Sequence, residues 1–178
     1  VARLLNFVLF QAAWFLCVAT VGRPWAGAAL AGAGLLLVVH ARWIAKDARR
    51  EFLTLALVAP LGFLLDSAFG HWGVLRYHGA GLLPGFAPLW ILVLWLWFAA
   101  TFHGSLAWLQ HRPLLGGLLG LAGAPCSYAA GARLGAVDFG DAPLRNASIV
   151  AVGWALATPT LLWIAARPGL ARQSPKAA

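Results

Sequence analysis

Apolar residues along this chain come in six long runs, with most of the lysines, arginines and aspartates gathered in the segments between them. Each run approaches the roughly 20 residues that a helix needs to cross a bilayer. The pattern predicts helices over 4–21, 25–44, 50–69, 88–109, 113–137 and 145–166. The fold class is therefore all-α, a polytopic transmembrane bundle of six helices. No linker or low-complexity tract divides it, so 1–166 reads as one domain. The end, 167–178, mixes Pro, Gly, Arg, Gln, Ser and Lys and reads as a disordered cytoplasmic tail. The longest segment between runs, 70–87, carries aromatic residues and is expected along the outer interface or as a cap on the bundle.

Composition excludes an ordinary soluble domain: 62% of the 178 residues are hydrophobic, 10% are charged, and the mean hydropathy is +0.81. A net charge of +8 would point to nucleic acid in a soluble protein. Here the basic residues flank apolar spans, so their meaning is topological and the partner is the lipid bilayer. With the N-terminus inside, Arg3, Arg42, Lys46, Arg49, Arg50, Arg112, Arg167, Arg172 and Lys176 fall on the cytoplasmic side. Arg23, Arg76 and Arg145 fall outside, with Arg133 near the outer end of the fifth helix, so both termini are expected in the cytoplasm. Trp25, Trp43, Trp72, Trp90, Trp108 and Trp163 sit near span ends and read as interfacial anchors.

The first run reads as a span, because no small-residue cleavage site closes it as in a signal peptide. Leu16 before Cys17 is too bulky for lipoprotein processing. Cys17 and Cys126 fall inside spans and read as buried packing thiols. In the fifth helix Gly116, Gly120, Ala124, Ser127, Gly131 and Gly135 form a stripe of small residues. Small residues let helix backbones approach closely in lipid, so this helix is expected at the centre of the bundle, with the second helix (Gly27, Ala31, Gly34) as its neighbour. A homo-oligomer contact through the same stripe is the alternative.

Polar residues within the spans fall into two layers. The outer one holds Asp66 and Arg133, followed by His71, Arg76, Tyr77 and His78 and by Asp138 and Asp141. Asp66 shares a small-residue face with Ala59 and Gly62, and Arg133 is its expected partner, either as a structural pair or as a site for a proton or an anionic headgroup. The inner layer holds Asn6, Gln11, His40, Thr101, His103, Ser105, Thr158 and Thr160, for which interhelical hydrogen bonding is the simplest role. His103 could carry a proton or act as a general base. On a continuous fourth helix Thr101 and Ser105 would share a face and His103 would oppose it. The chain has no HExxH, CxxC, phosphate loop, GxSxG or GxGxxG, so no cofactor is implied. A metal on His71, His78 and Asp66 is disfavoured by the loop between the histidines, and no metal site is assigned.

Four stretches together, NFVLFQAAWFLCV (6–18), LLDSAFGHWGVL (64–75), PLWILVLWLWFAATFHGSLAWL (88–109) and APCSYAAGARLGAV (124–137), resemble the bacterial inner-membrane family known as domain of unknown function 2878. Two positions depart from its usual pattern: Gly104 separates His103 from Ser105, and Cys126 stands in place of a leucine. The resemblance implies an integral protein of the bacterial inner membrane. Families of this kind are linked to lipid modification by gene neighbourhood. Asn6, Gln11, Tyr128 and Arg133 lie in the matching stretches and are the candidate binding residues, with Asp66 and His103 as candidates for catalysis. The leading reading is a binding or accessory component in envelope or lipid metabolism with a lipid or isoprenoid ligand. A membrane-embedded enzyme acting on such a lipid, with Arg133 holding an anionic group, and a small transporter are the alternatives.

Overall fold

A computed structural model describes residues 1–81 and 83–167. Six α-helices follow in order: α1 (Ala2–Val18), α2 (Ala26–Trp43), α3 (Ala48–His71), α4 (Leu89–Thr101), α5 (Pro113–Arg133) and α6 (Pro143–Ala166). The sequence marks several of their starts. Asp47 caps α3 by accepting the Arg50 N–H at 3.0 Å, and both α5 and α6 open on a proline, which has no N–H to leave unsatisfied at that position. Four helices, α2, α3, α5 and α6, are long and apolar enough to cross a membrane, whereas α1 and α4 are shorter apolar helices. Their outer surfaces are apolar, with Leu114 and Leu144 about 85% exposed, as residues facing lipid tails should be.

The most extensive helix contact is α5 against α6, followed by α3 with α4 and by α1 with both α2 and α4; α6 also rests on α3. The α5 stripe is used within the chain. The Cβ position of Gly117 lies 3.1 Å from the Ala155 carbonyl oxygen, and that of Gly120 lies 2.6 Å from Thr158 Oγ1, so the α6 backbone nests directly on the glycines. Helix α2 is not the neighbour expected for this stripe. It packs on α1, α4 and α3, and Gly27 and Gly34 face open space.

Helices α4 and α5 end four or more residues before their apolar runs do. Helix α4 stops at Thr101 instead of continuing to 109, and a short 3₁₀ turn, Ala107–Leu109, follows. The reason is Asn6 of α1. Its side chain donates to the Ala100 carbonyl at 3.1 Å and accepts from the Ser105 N–H at 2.9 Å and hydroxyl at 2.7 Å, replacing the helical ladder at that point. Gly104 makes room for this, since a Cβ there would overlap the Asn6 amide. Helix α5 stops at Arg133 because Gly135, at φ +78°, turns the chain back and the Ala136 N–H bonds the Gly131 carbonyl at 3.0 Å. The chain then enters a two-residue strand, β2 (Val137–Asp138), antiparallel to β1 (Arg76–Tyr77), with Arg76 opposite Asp138 and Tyr77 opposite Val137.

The segment 70–87 is tied down. Val74, Leu75 and Ala87 are buried, and the Ala87 N–H donates to Ser67 Oγ at 3.1 Å. At this end of the bundle the exposed Arg76 guanidinium donates to Asp141 at 2.6 Å, a contact that raises its already high pKa. Trp90 is a core residue and not an interfacial anchor: it is buried, and its indole N–H donates to the His78 carbonyl at 2.9 Å. Trp25, Trp43, Trp72, Trp108 and Trp163 are exposed, and the Arg167 guanidinium lies 3.8 Å over the Trp163 ring. Cys17 is buried as expected, whereas Cys126 is exposed on α5; both are free thiols. Apart from Arg167, the tail lies outside the described residues.

Candidate functional site

Asp66 lies in the core of the bundle, 1% exposed. Helix α3 brings it there on the same face as Gly62, one turn earlier, where the absence of a side chain lets the Trp95 ring of α4 lie against the backbone. The Trp95 indole N–H donates to Asp66 Oδ2. Two phenols meet the other oxygen: the Tyr77 hydroxyl donates to Oδ1 at 2.5 Å, and the Tyr128 hydroxyl donates to the same atom. Three neutral donors from α4, β1 and α5 thus converge on one carboxyl group. In a low-dielectric interior such donors satisfy a buried carboxyl group where no cation is at hand. Arg133, the expected partner, is exposed on the last turn of α5 and forms no hydrogen bond or ion pair with the described residues.

Beside this cluster lies a cavity of about 560 Å³ between α1 and α4 on one side and α5 and α6 on the other. That size falls within the roughly 300–1,000 Å³ of small-molecule sites. Its walls are mostly aromatic and aliphatic; Trp95 stacks on Trp154 of α6 with ring centroids 4.7 Å apart. Asp66 is the one acidic side chain in the lining, and no basic one joins it. Gln11, Ser127, Tyr128 and Thr158 add neutral polar groups, and the Gln11 amide is bonded to no described residue. Two more polar atoms in the wall are buried without a hydrogen-bond partner, Trp154 Nε1 and Thr158 Oγ1. The indole lies near the Tyr128 hydroxyl without closing a bond to it. Buried polar atoms are nearly always paired, so such orphans mark where a ligand's polar group would sit.

The cavity opens sideways. Phe15 of α1 and Leu119, Gly123, Ser127 and Ala130 of α5 line it and are also exposed on the outer surface of the bundle. The Trp14 indole N–H donates to Ser127 Oγ at 3.1 Å and bridges α1 to α5.

The candidate residues therefore separate into groups. Asp66, Gln11 and Tyr128 meet at the lateral cavity. Asn6 and His103 lie at the opposite end of the bundle, where Asn6 clamps the end of α4. His103 Nδ1 accepts from Gln110 Nε2 at 3.2 Å, which leaves Nε2 to donate to Thr54 Oγ1 at 2.7 Å. Because α4 ends before His103, the facing expected for a continuous helix does not hold. Thr101 bonds the Phe98 carbonyl, Ser105 bonds Asn6 and His103 bonds Thr54. Arg133 belongs to neither group. Sequence reasoning missed Trp95 and Trp154, which nothing sets apart among ten tryptophans, and the buried bond between His40 Nε2 and Glu51 Oε1 at 2.9 Å. The Gly62–Asp66 spacing was the one usable signal, since a bare position on that face invites a large ring. Among the described residues, no group of three His, Cys, Asp or Glu side chains could hold a metal ion.

The chain belongs to the family described as a protein of unknown function, DUF2878, whose model matches residues 3–160. No curated protein and no solved structure matches it.

Proposed function

We propose that this is a multi-pass protein of the bacterial inner membrane, with both termini in the cytoplasm, that binds a neutral lipid in the lateral cavity as a binding or accessory component of envelope or lipid metabolism. The observation that carries this reading is an apolar chamber open through the apolar side of the bundle, with Asp66 and the orphaned Trp154 indole N–H in its wall. A wall without a basic side chain gives an anionic headgroup nothing to pair with. The indole can only donate, and the Thr158 hydroxyl can donate or accept, so the complement is a ligand with an acceptor oxygen on an apolar body, such as an isoprenoid alcohol or a quinone.

A second reading, an enzyme moving a proton on such a lipid, is favoured by the Tyr128–Asp66 hydrogen bond, which places a proton donor and an acceptor in contact in the cavity wall.

Mass spectrometry of neutral lipids retained by the purified protein tests the binding reading. Gly123 lines the mouth and a Cβ there would meet nothing within 4 Å, so Gly123→Leu places a side chain at the entrance with no clash at its Cβ. A neutral lipid enriched with wild type and depleted in Gly123→Leu is the expected result. No enrichment over bulk membrane extract overturns the reading, and conversion of the retained lipid on incubation moves the assignment to the enzyme.

A further inference from the structure

A second pocket, of about 490 Å³, opens at the other end of the bundle, where α1 begins, α2 passes into α3 and the chain turns after α4. It is far more polar than the lateral cavity, and Arg3, Lys46 and Arg50 line it together with His40. Both acidic residues of the pocket are already engaged. Asp47 caps α3 through the Arg50 N–H, and Glu51, 3% exposed, is bonded to His40 at 2.9 Å. Three cations against these two carboxylates leave the lining with positive charge to spare.

Two further atoms point to what the pocket takes. Arg50 Nε and His40 Nδ1 are both buried without a hydrogen-bond partner, and His40 as a whole is 2% exposed. Arg50 anchors itself elsewhere, its Nη2 donating to the Ala165 carbonyl of α6 at 3.4 Å. Its Nε–H is a donor in every state, because a guanidinium keeps its protons. The orphaned Arg50 donor, among cations that outnumber the carboxylates and at the start of a 24-residue helix whose N-terminus favours negative charge, calls for a ligand that accepts.

We infer that this pocket binds an oxyanion of the phosphate class, held by Arg3, Lys46 and Arg50, with Arg50 Nε supplying the buried donor. The chemistry is shared by free phosphate and by the phosphorylated headgroup of a lipid whose tails lie along the bundle. The site is separate from the lateral cavity, so its failure would leave the neutral-lipid reading untouched.

Isothermal titration of the purified full chain in nonionic detergent tests the inference, with inorganic phosphate in one arm and dihexanoyl phosphatidic acid in the other. Saturable binding in either arm, weakened at least tenfold by Arg50→Gln and by Lys46→Gln and unchanged by Arg133→Gln at the far end, is the expected result. Binding in both arms assigns free phosphate as sufficient; binding of the phosphatidic acid alone assigns the lipid headgroup. Lys46 is exposed, so its variant keeps the test decisive even where Arg50→Gln unfolds. No saturable binding in either arm, or equal loss in Arg133→Gln, overturns the inference.

Discussion

The Trp95 indole rests on the bare backbone of Gly62 and, with the same ring, donates its N–H to Asp66 one turn further along α3. The contact between α3 and α4 and the orientation of the buried carboxyl are thus one arrangement. A methyl group on Gly62 would overlap the ring and displace the donor with it.

Gly62→Ala is expected to lower stability by about 1–3 kcal/mol, the usual range for overpacking a filled interior. Gly34→Ala on α2, where a Cβ meets nothing within 4 Å, should leave stability unchanged or raise it by up to about 1 kcal/mol, because alanine is the better helix former. Thermal unfolding in detergent, followed by tryptophan fluorescence, separates the two. Equal behaviour of the variants would show that the ring does not depend on the bare backbone.

Asp66→Ala strands three donors at once, whereas Tyr128→Phe removes one donor and leaves Tyr77 and Trp95 in place. An unsatisfied buried group costs about 1–3 kcal/mol, so the aspartate variant should be clearly the less stable. The double variant should lose less than the sum of the singles, with a coupling of about 0.5–3 kcal/mol for residues in one network. Chemical unfolding of all four proteins measures it, and simple additivity would dissolve the proposed network.

His40 and Glu51 are both nearly solvent-free, and removing either leaves the other without its partner. His40→Ala or Glu51→Ala should each lower stability by about 3–5 kcal/mol. Replacing both together with leucine should recover much of that loss, since apolar pairs of similar volume often match a buried ion pair. The comparison uses the same unfolding titration, and a double variant no better than the singles would contradict it.

Asn6→Ala removes the acceptor for the Ser105 N–H and the donor to the Ala100 carbonyl. Hydrogen exchange should then accelerate at residues 102–109 while the middle of α5 stays protected. Asn6→Asp keeps the acceptor and should protect Ser105 better than Asn6→Ala does.

The six helices were legible because long apolar runs separated by polar segments leave little else to form. The end of α4 was not, because Gly104 breaks the helix through a side chain from α1, 99 residues away from Ser105 in sequence, and no local pattern carries that contact. Asp66 stood out as a buried carboxylate. Its partners did not, because pairing by charge favoured Arg133, whereas phenols and an indole carry no charge to notice. Tyr128 and Arg133, five residues apart on α5, lie on different faces of that helix. Tyr77 enters the core only through a two-residue strand, too short for alternation to reveal. The orphaned Thr158 hydroxyl depends on the register of α6 against Gly120, which composition does not set.

The hydrogen bond from Trp14 to Ser127 crosses the mouth of the lateral cavity at an exposed position, between two helices that otherwise share few contacts. Elsewhere the α5–α6 hairpin is held by the packing of α6 on α3 and by the Asp66 cluster. A bound lipid could thus leave by parting one seam while the rest of the bundle stays assembled. Trp14→Phe, which keeps an aromatic ring and deletes the bond, should therefore act chiefly on how long an occupant stays, and much less on whether the chamber accepts it.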